Sequence, residues 1–226
     1  MSRNKAKNKY LKRAHISEKK FRALLKHFCL DDTATKASLV TKISRPTINK
    51  LFSKLRLRLA ASCEYESSLS GEIEVDESYF GPHRVRGKKG RGAFGKTPVI
   101  GLLKRGGKVY TQIVKDCTRA SLMPVIQGKV IRESSIYTDG WKSYDGLVLN
   151  GYKHYRIHHT ENEFARGKNH VNGIESFWSF AKRRLAKFNG ISPKTFYVHV
   201  KECEFRWNHK QELYQLLLKT LKQNPL

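Results

Sequence analysis

At 226 residues the chain has room for one medium catalytic domain and a small accessory module, and its 39% hydrophobic and 11% aromatic content excludes a largely disordered protein. Its 45 lysines and arginines against 19 aspartates and glutamates leave a formal charge of +26, spread along the whole length, which fits a long polyanion better than a small phosphorylated metabolite. No apolar run approaches the roughly 18 residues of a spanning helix and no apolar signal region opens the chain, so no membrane partner is expected.

Residues 1–15 are basic and aperiodic, which suits either a phosphate-contacting arm or a solvated terminus. From Ser17 the pattern becomes helical, with Phe21, Leu24, Leu25 and Phe28 on one stripe. A second helix capped by Asp32 or Thr33 breaks at Thr41 to Ser44, and a third opens with Ser44 as cap and Pro46 in its first turn. In that third helix Ile48, Leu51, Phe52, Leu55 and Leu59 form the inner stripe. Arg45, Thr47, Asn49, Lys50, Lys54, Arg56 and Arg58 are left outward, as a recognition helix in a major groove requires. Residues 16–60 therefore read as a helix-turn-helix DNA-binding domain, although a plain helical bundle on a basic protein has the same pattern and the turn lacks a glycine.

Residues 61–71 are small and polar and read as a linker. Residues 72–210 read as one α/β domain, with strand-like runs at 71–81, 97–105, 108–116 and 135–139, a helix near 120–130 and a further strand at 151–159. Gly106 and Gly107 supply a hairpin turn. Helices are expected at 171–188 and from Pro193 to His209, and residues 211–226 form a C-terminal helix. Cys29, Cys63, Cys117 and Cys203 make no Cys-x-x-Cys pair, so neither a zinc ribbon nor a disulfide framework is readable. Reduced thiols point to a cytoplasmic, nucleoid-associated protein of a bacterium.

Three acids stand out. In EIEVDESYFG, Ile73 and Val75 face one side of a strand, so Glu72, Glu74 and Asp76 share the other and need compensating cations, unless this is an edge strand with a solvated face. Asp139 ends an apolar run and precedes Gly140 and Trp141, at the C-terminal end of a strand where α/β sites tend to lie; alone, Thr-Asp-Gly is only a turn. Glu175 is the only acid between Glu163 and Glu202 and sits on a helix. Lys182 follows seven residues later, within roughly 20° of the same helical face. Ile174, Phe177, Trp178 and Ala181 form the packing stripe of that helix; a surface ion pair is its bland alternative.

Three carboxylates from two strand ends and a helix suit two Mg2+ ions, with Mn2+ able to substitute, and leave open positions for phosphate and for a water or 3′-hydroxyl nucleophile. His158, His159 and His170 raise a transition-metal alternative, ranked lower for want of tight ligand spacing. No acid occurs from Ser78 to Lys115, and Arg84, Arg86, Lys88, Lys89 and Arg91 lie among glycines in what reads as a phosphate-following loop. Trp141, Trp178 and Trp207 offer base-stacking surfaces, with core packing the expected use of at least two.

The motifs VDESYFG, TDGW and H-x-N-G-I-E-S-F-W-x-x-A-K resemble those of ISXO-type insertion-sequence transposases with a DDE catalytic core, over residues 70 to about 210. The resemblance implies an RNase H-like fold, a mixed sheet flanked by helices, with Asp76 on the first strand, Asp139 just after the fourth and Glu175 on a following helix as catalytic metal ligands. It also implies a transposon-end contact for Lys182, extended here to Arg183, and makes Glu77, Trp141, His170 and Asn172 site neighbours. The expected function is metal-dependent cleavage and strand transfer of double-stranded DNA at terminal inverted repeats and at a target, by a homodimer or higher oligomer. The rivals are a non-catalytic DNA-binding regulator and a structure-specific nuclease that does not join. Many relatives carry a cysteine-rich zinc ribbon ahead of the core, which this chain lacks, and some replace the third acid by asparagine, which this chain does not.

Overall fold

In the computed structural model residues 8–13, 15–81, 95–139, 141–157 and 171–226 are described. They fall into two compact units: one holds the chain up to Ala61 together with His209–Leu226, the other Ser62–Asn208. None of the described helices is long and apolar enough to cross a membrane.

The first unit starts with α1 (Glu18–Cys29), α2 (Ala34–Thr41) and α3 (Arg45–Glu64). The side chains of Ser17 and Thr33 accept from the backbone N–H groups of Lys20 and Lys36 and so cap α1 and α2. The expected stripes are the buried ones: Phe21, Leu24, Leu25 and Phe28 on α1, and Ile48, Leu51, Phe52, Leu55 and Leu59 on α3. The turn between α2 and α3 manages without glycine because Lys42 takes the left-handed conformation (φ 54°). Thr41 Oγ1 supports it by donating to Ala37 O (2.7 Å), and Ser38 Oγ donates to Ile43 O (2.7 Å). Helix α7 (Leu213–Gln223) returns to this unit: Leu226 N–H donates to Tyr10 O (3.0 Å) and Arg58 Nη1 to Asn224 O (3.3 Å).

Where a linker was expected at 61–71, α3 runs on to Glu64 and Leu69 forms an isolated parallel bridge with Val130. The apolar positions explain the difference, since Cys63 and Leu69 are both buried among polar neighbours that stay outside.

The second unit is built on β1 (Glu72–Phe80), β2 (Thr97–Lys104), β3 (Val109–Ile113), β4 (Ser135–Asp139) and β5 (Lys153–Ile157), ordered β3-β2-β1-β4-β5. The first three form an antiparallel meander, with Gly106 at φ 65° in the β2–β3 turn. Helix α4 (Arg119–Lys129) then crosses over so that β4 pairs parallel with β1, and β5 adds parallel to β4. This mixed α/β sheet, flanked by helices, is the RNase H-like arrangement that the sequence motifs imply.

Alternation along the strands gives the sheet two apolar faces. Ile73, Val75, Ile100, Leu102 and Ile136 pack with Leu122 and Ile126 of α4. On the other face Val99, Leu103 and Tyr137 pack with Ile174, Phe177 and Trp178 of α5 (Asn172–Ala186) and with Phe196 and Val200 of α6 (Pro193–Asn208). Cys63, Cys117 and Cys203 are buried and Cys29 is partly buried, and none of the four forms a disulfide.

Helix α6 is anchored by charge as well as by apolar contact. Lys201 is wholly buried; its ammonium donates to Thr111 O (2.8 Å) and pairs with Glu204 (3.1 Å) and Glu64 (3.0 Å), while Glu204 also accepts from the Thr111 amide (2.8 Å). Burial raises the Glu204 carboxyl, and the adjacent Lys201 opposes that rise. Removing one member of such a pair strands the other charge in the core. Lys201→Ala is therefore expected to cost about 3–5 kcal/mol in urea unfolding; a loss below about 1 kcal/mol, the usual worth of an exposed pair, would show that the network does not hold α6 to β3.

Candidate active site

The acids of β1 share one face, as their alternation requires, but they have different partners. Glu72 accepts from the Tyr137 hydroxyl (2.9 Å) and lies 3.6 Å from the Arg105 guanidinium. Glu74, only 1% exposed, accepts from Arg105 Nε (3.1 Å) and from the backbone N–H of Ile174 (2.9 Å) in the first turn of α5. The Arg105 guanidinium also lies 3.7 Å from the centre of the Tyr137 ring. Arg105 is thus the cation that the strand's acidic face demanded, and it serves Glu72 and Glu74. Asp76 stands two residues farther along, half-buried.

Two glycines bring α5 close to this position. Gly173 leaves no room for a side chain, since a Cβ there would stand 2.8 Å from Glu74 Oε2. Gly101 is the register partner of Asp76 on β2, and a Cβ on it would stand 2.5 Å from the Trp178 ring and 2.8 Å from Ile174 Cδ1. The first turn of α5 therefore rests on the sheet beside Asp76, with Glu175 exposed on it and Lys182 exposed two turns later. Asp139 ends β4, half-buried, and accepts from the Trp141 backbone N–H (3.1 Å). Because Glu74 pairs with Tyr137 across β1 and β4, Asp76 and Asp139 each lie two residues past that pair and are level on the same face.

Burial pushes the Asp76 carboxyl up to about 6; the Glu77 backbone N–H pulls it down, Asp139 and Glu175 raise it further by like charge, and Lys182 lowers it. Asp76 therefore feels both of the other acids and the lysine. Glu77 points to the opposite face, where its carboxylate accepts from the Tyr144 hydroxyl (2.5 Å). Burial raises Glu77 to about 7, against the Tyr144 hydrogen bond and with the help of Asp76 and Asp139. Among the described residues, no three His, Cys, Asp or Glu side chains are gathered tightly enough, as they stand, to hold a metal ion.

Of the remaining residues singled out in the sequence, Asn172 and Arg183 are exposed on α5, whereas the neighbouring Arg184 is buried against Glu202 and Cys203 of α6. Arg45, Asn49, Lys50 and Lys54 are exposed on α3, in the other unit, and Thr47 there is partly buried with its hydroxyl 2.8 Å from that of Ser44. Arg56 is less free than its outward position suggests, its guanidinium lying 6.0 Å from the ring centres of Phe28 and Phe52. Trp178 is buried and Trp207 packs edge-on to Phe177 (5.5 Å), while Trp141 is 43% exposed. Arg84, Arg86, Lys88, Lys89, Arg91, His158, His159 and His170 lie outside the described residues. Sequence reasoning missed Arg105, Tyr137, Tyr144 and Gly101, whose roles arise only from strand pairing and long-range contact.

Residues 68–208 match the ISXO2-like transposase domain family. The chain belongs to this family. Among curated relatives, this ISXO2-like chain is 43% identical over 120 residues to an uncharacterized transposase-like protein of Haemophilus influenzae, covering 53% of this chain and 97% of that one. It is 28% identical over 174 residues to an uncharacterized protein in transposable element ISH50 of Halobacterium salinarum, covering 70% of this chain but 59% of the relative. Solved structures of similar arrangement include the catalytic core domain of BIV integrase (TM-score 0.41, 12% identity, 67% of this chain and 96% of that one). Another is the Mos1 strand transfer complex (TM-score 0.34, 13% identity, 94% and 78%).

The raised Asp76 carboxyl has a consequence for stability. Its folded value of about 6 exceeds the ordinary 3.8, so between those values the folded chain binds more protons than the unfolded one. The cost of ionising Asp76 is then absent below the ordinary value, grows as pH rises through the window and is complete above the folded value. Asp76→Asn, in the absence of divalent cations, is expected to exceed the parent in stability by about 1–3 kcal/mol above about pH 7, with the difference vanishing below about pH 4. Thermal and urea unfolding in EDTA measure it; equal stability at neutral pH would mean that neither burial nor the neighbouring acids penalise the charge on Asp76.

Proposed function

We propose that this ISXO2-like chain is an insertion-sequence DDE transposase whose site residues Asp76, Asp139 and Glu175 hold divalent cations for DNA cleavage and strand transfer. The observation that carries the reading is geometric: Asp76 and Asp139 each stand two residues past the Glu74–Tyr137 pair, and the first turn of α5, with Glu175, is seated beside Asp76. Burial, and the like charges of Asp139 and Glu175, raise the Asp76 carboxyl there. Like charges converging on a half-buried carboxyl are costly unless something positive joins them, and the donors are hard oxygens only, which fits Mg2+ or Mn2+ rather than a softer transition metal. Asp76, Asp139 and Glu175 would hold such ions, which would supply Lewis-acid stabilisation for in-line displacement at phosphorus.

The chain's own residues supply the rest. Asp139 is held by the Trp141 backbone N–H at the end of β4, and Glu175 is held by the seating of α5 on Glu74. Lys182, on the face of α5 that reaches Asp76, is suited to fix a backbone phosphate of the transposon end, with Arg183 beside it. Arg45, Thr47, Asn49, Lys50 and Lys54 on α3 form the recognition face of a helix-turn-helix that grips duplex DNA, and the charge of +26 supplies the sequence-independent part of the affinity. The basic segment with Arg84, Arg86, Lys88, Lys89 and Arg91 follows phosphates. Joining two transposon ends to a target requires two such sites, hence a homodimer or higher oligomer on DNA.

Short inverted repeats flanking the gene define the substrate for the test. On a plasmid carrying them, the wild-type chain is expected to cut and to produce joined strand-transfer products. Asp76→Ala, Asp139→Ala and Glu175→Ala are each expected to lose at least about 100-fold in cleavage while still retaining the same DNA in gel shifts. Cleavage that survives Asp76→Ala and Glu175→Ala would overturn the assignment. Cutting without any joined product would reduce the activity to that of a nuclease.

A further inference from the structure

Strands β1 and β4 pair only as far as Glu74 and Tyr137, yet the two acids that must act together, Asp76 and Asp139, both lie beyond that last pair. Asp76 and Asp139 thus stand two residues beyond the last register pair of the two strands. The tie that bridges the gap lies on the opposite face of β1. Tyr144, in the short 3-10 turn Lys142–Tyr144, is wholly buried in the α4-side core, and its hydroxyl donates to Glu77 Oε1 (2.5 Å).

From Tyr144 the connection runs back to the acid. The Tyr144 N–H donates to Trp141 O (3.2 Å), and the Trp141 N–H donates to Asp139 Oδ1 (3.1 Å). A second strap secures the same turn, since Ser143 Oγ donates to Cys117 O (2.7 Å) and the Tyr79 hydroxyl to Cys117 Sγ (3.1 Å). Adjacent residues of a strand point to opposite faces, so Glu77 does not share the face on which Asp76 meets Asp139 and Glu175. Glu77 is half-buried, where a carboxyl is a costly way to satisfy one tyrosine hydroxyl that a neutral acceptor would satisfy as well.

We propose that Glu77, through the Tyr144 hydroxyl, is a positioning residue that sets where the Asp139 carboxylate stands relative to Asp76. Glu77 touches neither metal nor DNA; it acts by fixing the turn that follows β4. The proposal rests on the reading of Asp76 and Asp139 as metal ligands.

The test is Mn2+ binding to the full chain without DNA, followed by the electron paramagnetic resonance signal of free Mn2+. Glu77→Ala and Tyr144→Phe are each expected to weaken Mn2+ binding about 10-fold, the size usual for groups that orient a ligand. Glu77→Gln keeps an oxygen that accepts from Tyr144 and is expected to stay within about 3-fold of wild type. The Glu77→Ala, Tyr144→Phe double variant should be no weaker than either single one, because both remove the same bond. Tyr144→Phe keeps the ring in the core, and its unfolding in EDTA reports whether the fold survives. Wild-type affinity in a folded Tyr144→Phe overturns the proposal, and so does a Glu77→Gln as weak as Glu77→Ala, which would make Glu77 a ligand itself. If the wild-type chain shows no Mn2+ binding that Asp76→Asn abolishes, the metal reading fails with it, a result distinct from failure of the positioning role alone.

Discussion

The hydrogen bond from the Ile174 backbone N–H to the buried Glu74 carboxylate (2.9 Å) seats the first turn of α5 on β1, and the position of Glu175 follows from it. A carboxylate at a helix N-terminus is favoured by the unsatisfied N–H groups there, and Arg105 on its other oxygen neutralises the charge that burial would otherwise penalise. The contact requires that α5 come very near the sheet, and Gly101 and Gly173 are the positions where a methyl group would prevent it. Gly101 is also the register partner of Asp76. The same approach that packs Trp178 and Ile174 into the core thus seats the first turn of α5, which carries Glu175, beside Asp76.

One face of one strand accordingly carries three carboxylates in three different environments. Glu72 is partly exposed and bonded to Tyr137; Glu74 is buried and fully engaged by Arg105 and α5; Asp76 is left facing like charge, with Lys182 as the cation that lowers its carboxyl. Glu72 and Glu74 are thus bonded within the fold, and Asp76 is the one left for the proposed metal site. The second face carries Glu77, bonded to Tyr144, so alternate residues of β1 support the acids from both sides of the sheet.

Much of this was legible in the residues. The caps at Ser17 and Thr33, the apolar stripes of α1, α3 and α5, the Gly106 turn and each strand of the sheet followed from local pattern, because hydrophobic periodicity and turn chemistry act over a few residues. The acids were visible for different reasons: Asp76 belongs to an acidic set on one face of a strand, Asp139 ends a strand, and Glu175 is the only acid between Glu163 and Glu202. What stayed hidden depends on pairing across many residues. Nothing near Arg105 says that it reaches back to Glu74, nothing in KSYDG marks Tyr144 as a partner of Glu77, and Gly101 reads as an ordinary strand residue until α5 lies on it. The expected linker at 61–71 concealed two buried positions, Cys63 and Leu69, because their neighbours are polar. The terminal helix gave no sign that it would join the first three.

In the proposed site Asp76, Asp139 and Glu175 share divalent cations. Crystals soaked in Mn2+ and measured at its absorption edge test this directly through the anomalous difference map. The expected result is a peak bounded by carboxylate oxygens of Asp76 and Asp139, with Glu175 as a further ligand there or at an adjoining peak, at oxygen distances of about 2.0–2.3 Å. Mn2+ bound elsewhere, with the three carboxylates facing separate surfaces, would contradict it and leave a DNA-binding protein of the same fold without the proposed chemistry.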